Sequence, residues 1–535
     1  METDTLINQE PKTSVKPQVF IEKLVFNDGK ELLIDCDSIV VFTGANNCGK
    51  SQVLKDIETS ICSGIKASLI VLEGTDVTLE GDIWAFKDGK IKETPDGGYI
   101  LENGYKWDKR YMDKAWQAKA LSHLTALFVT RMDTESRLTV SKTQNSFDAI
   151  TGTATNPIQR IFLDDEKEQE ISNYFYSAFG VNLIVDVGGG TKIPLFVGER
   201  PHMPSGKDRV SKVYREELIK LPILDNQGDG MRSFASILLD TFTSERNITL
   251  IDEPEAFLHP PQARLLGKML AKNGCKKRQL FISTHSEDFL QGLLDADNEN
   301  VKIIRINRID NINYVNILEN NEIKRLWSNP LLRYSNILRG LFHSKVVVCE
   351  SDYDCLFYKA VLDSIYEIKG ETAPDILFTH CGGKQRMKTV VSALVAVDVP
   401  IVAVPDFDII NDSGEFKPLI SSFGIDWNNH IGNHMKEVYD WLNANQSIKD
   451  NIKRQGKNGL DGNAIESYRQ VEQICNSSGL FIVPCGEIEC FNKNNKSKAD
   501  WVYSEILKPN FATDPVLNDA RAFVQSFVDY QRIRN

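Results

Sequence analysis

The sequence predicts an α/β chain with two parallel sheets in series, on three observations. Residues Gly44-Ala45-Asn46-Asn47-Cys48-Gly49-Lys50-Ser51 spell a glycine, four free positions and Gly-Lys-Ser, between the apolar run 38–42 and the helix-forming run 52–57. A second apolar run, 247–251, ends on Asp252-Glu253. Beyond residue 340 apolar runs alternate with helical patterns, and two of those runs end on Glu350 and on Asp406-Phe407-Asp408. Strands that alternate with helices form parallel sheets, and such sheets place their ligands at strand carboxyl ends.

A chain of 535 residues exceeds one core, so two or three domains are expected. With 41% apolar and 25% charged residues, the composition is that of an ordinary globular protein. No apolar run has the length of a membrane span, and the opening Met1-Glu2-Thr3-Asp4 is acidic where a signal peptide is basic. A cytoplasmic protein without a membrane partner is the expectation. The ten cysteines have no Cys-x-x-Cys spacing, so they read as reduced thiols rather than a zinc site or disulfide frame. A net charge of −12 excludes a uniformly basic nucleic-acid binder but leaves room for a local basic groove.

The first elements follow in order. Residues 1–17 are polar and contain two prolines, as in a loose arm. Val19–Phe26 and Glu31–Ile34 around Asn27-Asp28-Gly29 read as a hairpin leading to the phosphate-loop strand. In that loop, Gly44 and Gly49 let backbone N–H groups curl around phosphate oxygens at a helix start. Lys50 then reaches the β- and γ-phosphates, and Ser51 holds Mg²⁺. Residues 69–107 show short β runs broken at Asp88-Gly89, Asp96-Gly97-Gly98 and Asn103-Gly104, which predicts an inserted β subdomain. Leu127–Arg131 reads as a strand, and its continuation Asp133–Arg137 as either a phosphate sensor or a solvated loop. Gly188-Gly189-Gly190 lies between two apolar runs and predicts a hairpin turn. Arg200, His202, Lys207, Arg209, Lys212 and Arg215 form either a solvated face or a phosphate-tracking one.

Gly228-Asp229-Gly230 opens a helix, where glycines make an anion seat. Asp252 suits Mg²⁺ at the phosphate loop, and Glu253 can orient or deprotonate a water. The next apolar run ends at His285, within reach of a γ-phosphate. In the second half, Asp406 and Asp408 are two residues apart and share one side of an extended segment. With Glu350 they repel one another unless cations neutralise them, and Mg²⁺ or Mn²⁺ favours such oxygen ligands. Gly486-Glu487-Ile488-Glu489 follows the apolar run 479–484 and either opens a helix or supplies a further ligand.

Residues 18–325 resemble an ABC-type ATPase domain of the kind found in SMC, RecF-like and OLD-family (overcoming lysogenization defect) proteins. Gly44–Ser51 match Walker A, Leu250–Glu253 match Walker B and His285 matches the switch histidine. Gly228-Asp229-Gly230 resembles the signature loop, with Gly228 where serine is usual. The resemblance implies ATP held by Gly44, Asn47, Gly49, Lys50, Ser51, Asp252 and His285, with Gly228 and Gly230 completing the site in a homodimer or higher oligomer. Residues 140–205 would form an inserted dimerisation or DNA-contact region. No sustained heptads provide a long coiled-coil arm.

After a linker at 326–342, residues 343 to about 515 resemble a Toprim domain, extended to residue 535 by C-terminal helices. Glu350 with Asp354 resembles its Glu-Gly-x-x-Asp element, with Ser351 in the glycine position. Asp406-Phe407-Asp408 matches its Asp-x-Asp, and Gly486–Glu489 resembles the later acidic motif of OLD-type Toprims. The resemblance implies Glu350 as ligand and general base, Asp354, Asp406, Asp408, Glu487 and Glu489 as further Mg²⁺ or Mn²⁺ ligands, and Lys496 or Lys498 as the stabilising cation. An ABC-type ATPase followed by a Toprim domain is the OLD-family layout. It implies an ATP-regulated, metal-dependent DNA nuclease in antiphage defence, with a partner such as a retron reverse transcriptase and its nucleic acid. RNA such as tRNA is the alternative substrate, and a non-cleaving ATPase sensor or scaffold is the alternative function. ATP would restrain or license cleavage through the junction near Leu326–Arg339.

Overall fold

In the computed structural model the described residues are 15–531, apart from 65–66, 87–89, 102–104, 151–153, 204, 274–277, 319–327, 329–335 and 494–496. They fall into two compact units: one runs to residue 320 apart from Gly44–Asn46, and the other takes those three residues and the chain from 321 onward. Most of the expected arm at 1–17, the turns at Asp88-Gly89 and Asn103-Gly104, and most of the junction near Leu326–Arg339 lie outside the described residues.

The first unit is organised by a six-stranded sheet. Its order is Ile312–Leu318, Val301–Ile309, Ile39–Thr43, Gln279–Ser283, Ile248–Asp252 and Val129–Met132. All pairings are parallel except that of the outermost strand, Ile312–Leu318. Ile39–Thr43 is buried at every position because helices and a second layer cover both of its faces, which is why it reads as an unbroken apolar run. Val40 and Phe42 pack with Val53, Leu54, Ile57 and Ile61 of the helix Lys50–Ser63. Each such side chain contributes roughly 1.5–3 kcal/mol of burial. The helix stops at Gly64, whose φ of 59° is a left-handed value that favours glycine.

The opening hairpin forms as expected, but the expected β subdomain at 69–107 is only partly separate. Leu72–Glu80 pairs along Gln18–Phe26, giving a three-stranded sheet with Glu31–Leu33. A buried carboxylate on the phosphate-loop helix fixes this strand: Asp56 Oδ2 accepts the N–H groups of Ile70, Val71 and Leu72 at 3.0, 2.7 and 3.1 Å. Only Ile91–Glu93, Tyr99–Leu101 and Lys106–Trp107 make an independent sheet, with the Asp96-Gly97-Gly98 turn between the first two. The Gly188–Gly190 turn joins Asn182–Val185 to the region of its antiparallel partner Leu195–Gly198, as expected for a hairpin.

The second unit holds a parallel sheet in the order Ile376–His380, Lys345–Cys349, Ile401–Val404. The expected strand at 479–484 is reduced to one parallel bridge, between Leu480 and Ala403. Phe357, Val361 and Leu362 of the helix Asp352–Lys369 pack with Trp501 and with Val524 and Phe527 of the C-terminal helix Asn518–Asp529. Among the described residues, no helix is long and apolar enough to cross a membrane.

Behind the Ile248–Asp252 and Gln279–Ser283 strands, the helices Pro260–Lys272 and Glu287–Leu294 touch backbone to backbone. A Cβ on Gly292 would lie 1.9 Å from Arg264 O, and one on Gly267 2.2 Å from Phe289 O. Gly292→Ala is therefore expected to destabilise the first unit by about 1–3 kcal/mol through overpacking. A lowered unfolding midpoint in differential scanning calorimetry checks this, with Ala271→Gly on the same helix pair as a control that adds no atoms.

Candidate active sites

In the first unit the phosphate loop leaves the Ile39–Thr43 strand with glycines where only glycine is comfortable. Gly44 has φ 142° and Gly49 φ 104°, while Asn47 takes the left-handed value of 61°. Gly49 is also crowded, since a Cβ there would stand 2.9 Å from Asn313 Nδ2. Asn313 in turn donates to Cys48 O at 2.6 Å and is held by Asn27, so the outermost strand of the sheet props the loop. The helix Lys50–Ser63 starts with no side-chain cap, a start of the kind that seats an anion, and Lys50 is buried there.

Ser51 Oγ donates to Asp252 Oδ1 at 2.8 Å, and Ser283 Oγ donates to the same oxygen. A hydroxyl and a carboxylate meeting at the end of two parallel strands form the oxygen set that suits Mg²⁺, so the residues fit the cation the sequence implies. Glu253 follows with φ 49°, a left-handed value that a non-glycine residue adopts only when its surroundings impose it. Two groups impose it here. Glu253 N–H donates to Ser283 O at 2.9 Å, and Arg137 donates to the carbonyls of both Asp252 and Glu253, the latter at 3.0 Å. His285 Nδ1 lies 3.3 Å from Glu253 Oε1 and 3.4 Å from Glu255 Oε1. Burial pushes the Glu255 carboxyl above its ordinary range, although it accepts from Thr284 Oγ1 and His285 N–H. Glu253 and His285 are both about half exposed, open to a bound group.

Of the two readings of Asp133–Arg137, phosphate sensor or solvated loop, the solvated loop is corrected. Asp133 caps a helix, Thr134–Val140, through a capping box with Ser136, and the helix buries Arg137 completely against the Asp252-Glu253 backbone. The Asp-x-x-Ser spacing was the available signal. Gly228 and Gly230 open the uncapped helix Asp229–Thr243. A Cβ on Gly230 would lie 2.6 Å from Phe257 O, while Gly228 has open space around it. Of the basic group at 200–215, Arg200 and Arg209 are turned inward onto the buried Glu168, at 3.0 and 3.2 Å, and Arg215 pairs with Asp186. Those three serve the fold of that region before any ligand.

In the second unit the carboxyl ends of Lys345–Cys349 and Ile401–Val404 lie side by side, so Glu350 and Asp406 meet. Glu350, Asp406 and Asp408 bring carboxylate oxygens within 4.8 Å of one another. The expected extended run through Asp408 is corrected: the strand ends at Val404, and Phe407–Asn411 is a 3-10 turn that brings Asp408 back toward Asp406. Asp406 N–H donates to Glu350 Oε1 at 3.0 Å, which locks the two strand ends together. Burial, then the charges of Asp408 and Asp354, raise the Glu350 carboxyl. Asp406 is pushed up to about 7, by burial first and then by Glu350 and Asp354, against the opposing pull of Lys498.

Lysines surround this cluster. Lys384 Nζ lies 2.8 Å from Asp408, and Lys453 Nζ lies 3.2 Å from Asp406 and 3.6 Å from Glu487. Lys498 lies 2.6 Å from Asp354 and 3.9 Å from Asp406. Burial opposes its charge, yet Asp406 and Asp354 outweigh that cost and raise Lys498 to about 12. Asp354 also closes a capping box with Ser351, a role that a glycine at 351 would not provide. Glu489 is raised by burial and by Glu487. Asp408 Oδ1 and Glu489 Oε2 are buried without a hydrogen-bond partner among the described residues. Crowded carboxylates with unsatisfied oxygens suit a divalent cation. The structure thus gathers Glu350, Asp406 and Asp408 directly, and joins Asp354 and Glu487 to them through Lys498 and Lys453. Lys496 lies outside the described residues. Lys384 and Lys453 were missed; Lys384 had a signal in the preceding Gly382-Gly383, whereas nothing in the sequence near Lys453 marks it.

Residues 131–290 match a family described as "AAA domain, putative AbiEii toxin, Type IV TA system". An "OLD nuclease" of Thermus scotoductus is 26% identical over 208 residues, which is 37% of this chain and 38% of that relative. The chain thus matches well under half the length of this curated relative. Among solved structures, a SMC head bound to the C-terminal winged-helix domain of ScpA is 16% identical, with a TM-score of 0.32, over 57% of this chain and 99% of that one. The SMC head domain from Thermotoga maritima is 11% identical, with a TM-score of 0.29, over 57% and 100%. The family match and the OLD relative bear out the likeness to OLD-family ATPases read from the sequence.

Arg137→Met leaves two carbonyls unpinned behind the Asp252-Glu253 pair. It is expected to lower ATP turnover by about tenfold or more, the effect of a roughly 1.4 kcal/mol loss of positioning, while nucleotide affinity changes less. Steady-state phosphate release beside equilibrium binding of a fluorescent ATP analogue measures both.

Proposed function

We propose that this chain is an ATP-regulated, divalent-metal-dependent nuclease with a Toprim-type second unit that cleaves DNA phosphodiester bonds. One observation carries the reading: Glu350, Asp406 and Asp408 converge within 4.8 Å at the carboxyl ends of adjacent parallel strands, ringed by Lys384, Lys453 and Lys498. Carboxylates alone repel a phosphate, and lysines alone would bind it without activating water. The two together can hold a cation and a phosphodiester at one place. Bound divalent ions would supply a water of lowered pKa and polarise the phosphate. Glu350, raised by burial and like charge, is placed to take the proton of the attacking water. Lys498 keeps its proton and stabilises charge on the leaving oxygen. Asp354 positions Lys498 through their 2.6 Å contact.

The first unit reads as an ATPase on the same reasoning. Lys50 and the uncapped helix start receive the phosphates, and Ser51 with Asp252 would hold Mg²⁺. Glu253, held in its unusual backbone conformation, orients the hydrolytic water with His285 alongside. The open N-terminus of the Asp229–Thr243 helix is the element that would complete the site of a second copy, so a homodimer is part of the proposal.

The test is incubation of the purified protein with plasmid DNA and, in parallel, with total RNA, each with Mg²⁺ or Mn²⁺. DNA cleavage lost in Asp406→Asn and Glu350→Gln, with ATP turnover retained, is the expected result; RNA cleavage alone would change the substrate, and no cleavage of either would overturn the reading. Glu253→Gln is expected to bind ATP and hydrolyse it at least about a hundredfold more slowly, the lower range for loss of a general base. Lys50→Ala should abolish the ATP dependence of nicking while leaving Mn²⁺ binding by the second unit intact, which electron paramagnetic resonance of free Mn²⁺ measures.

A further inference from the structure

Within the second unit a cleft of about 510 Å³ is lined in part by Pro484 and Cys485, next in the chain to Gly486, whose carbonyl accepts from Phe407 N–H between Asp406 and Asp408; none of the clustered carboxylates lines it. One wall is the segment Leu480–Cys485, which lies along the strand Ile401–Val404. On that inner edge Phe481 N–H donates to Ala403 O at 2.9 Å and Val483 N–H to Pro405 O at 3.1 Å. On the outer edge Leu480 N–H donates to Cys475 O, and Pro484 O accepts from Lys457 N–H, both at 2.9 Å. Between these closed ends stands Ile482, which lines the cleft and is 2% exposed. Neither its N–H nor its C=O is bonded to any described residue. In an extended residue both groups project to the same side. Buried backbone groups are nearly always paired, so this donor and acceptor call for an occupant.

The shape of the opening limits that occupant. An added β-strand needs a row of edge groups, and among the described residues of this edge only one is open. A planar group with one donor and one acceptor side by side fits, and a nucleobase edge is such a group. Phe481, Phe491 and Phe523 also line the cleft and provide apolar ring surface for a base. Three basic side chains follow one stretch of chain from the cluster to the cleft, each paired with a carboxylate: Lys453 beside Asp406, Arg454 3.9 Å from Glu487, and Lys457 3.2 Å from Glu472, which lines the cleft with Asp519. That stretch can track the phosphates joining a base in the cleft to a phosphodiester at the cluster.

The geometry points to a nucleobase subsite in this cleft, in which a base flanking the scissile phosphodiester is hydrogen-bonded by Ile482 N–H and C=O. The inference rests on the nuclease reading for its source, the substrate strand; a free nucleoside presents the same chemistry. Ala522 and Ser526 line the cleft from exposed positions on the helix Asn518–Asp529, so Ala522→Trp and Ser526→Trp fill it without touching the cluster.

The experiment measures fluorescence anisotropy of labelled 12-mer single strands in Ca²⁺, using a set in which each strand carries one abasic position. Saturation-transfer NMR with adenosine and with cytidine runs alongside. One abasic position is expected to weaken binding about tenfold, within the range of base-stacking contributions. Both tryptophan variants should lose a similar factor on the intact strand, with no further loss at that abasic position. A nucleoside signal present in the wild type and removed by Ala522→Trp supports the subsite with the free nucleoside as its source. Nucleoside binding of that kind without any strand binding would overturn the nuclease reading and keep the subsite. Equal binding of all abasic strands, or abasic losses unchanged in the tryptophan variants, with no nucleoside signal sensitive to Ala522→Trp, would overturn the subsite and leave water as the partner of Ile482.

Discussion

Like charge forced together at strand ends is the constraint on which the second unit depends. Adjacent parallel strands finish at the same edge of a sheet, so Glu350 and Asp406 have no freedom to separate, and the turn after Asp406 adds Asp408. In a partly buried site such a cluster is untenable with every carboxylate charged and alone. The structure answers with three lysines drawn from three different helical segments and with a carboxyl at Asp406 raised to about 7. The same repulsion that destabilises the bare cluster is what would give it affinity for divalent cations, so the strain and the proposed chemistry would have one source.

The first unit solves a related problem by a different route. Asp252 receives hydroxyls from Ser51 and Ser283 on one oxygen. What must be held there is backbone rather than charge. Arg137 and Ser283 grip the carbonyls and N–H at 252–253, so that Glu253 keeps a left-handed conformation it would not choose alone. Asn313 does the same for the phosphate loop through Cys48 O. Residues that never meet the ligand thus set the position of those that would.

The motifs were legible because each is local: a loop curling around a phosphate uses consecutive residues, and a strand that delivers acids carries them at its own end. Gly44–Ser51, Asp252-Glu253, Glu350 and Asp406-Phe407-Asp408 could therefore be read in line. Where local pattern failed, tertiary pairing had overridden it. Leu72–Glu80 looked like part of an insertion, but Asp56 and the edge of Gln18–Phe26 recruit it into the opening sheet. Asp133–Arg137 fitted a solvated loop as well as a phosphate sensor because its charges are frequent on surfaces, yet the carbonyls of Asp252 and Glu253 offered Arg137 a buried partner more than a hundred residues away.

The α/β class, the order of the two units and the acids at each strand end were legible along the chain, since strand, turn and helix signals act over a few residues. Which cations face those acids depended on packing: Lys498 was one of two candidates in the chain, whereas Lys384 and Lys453 are brought in by the fold. Lys384, Lys453 and Lys498 lie on separate helices, and an ammonium on a flexible stem leaves no periodic trace in the chain. Packing decided as well that Ile482 keeps a backbone donor and acceptor without a partner among the described residues, because edge pairing depends on where distant segments such as Lys457 and Cys475 come to rest.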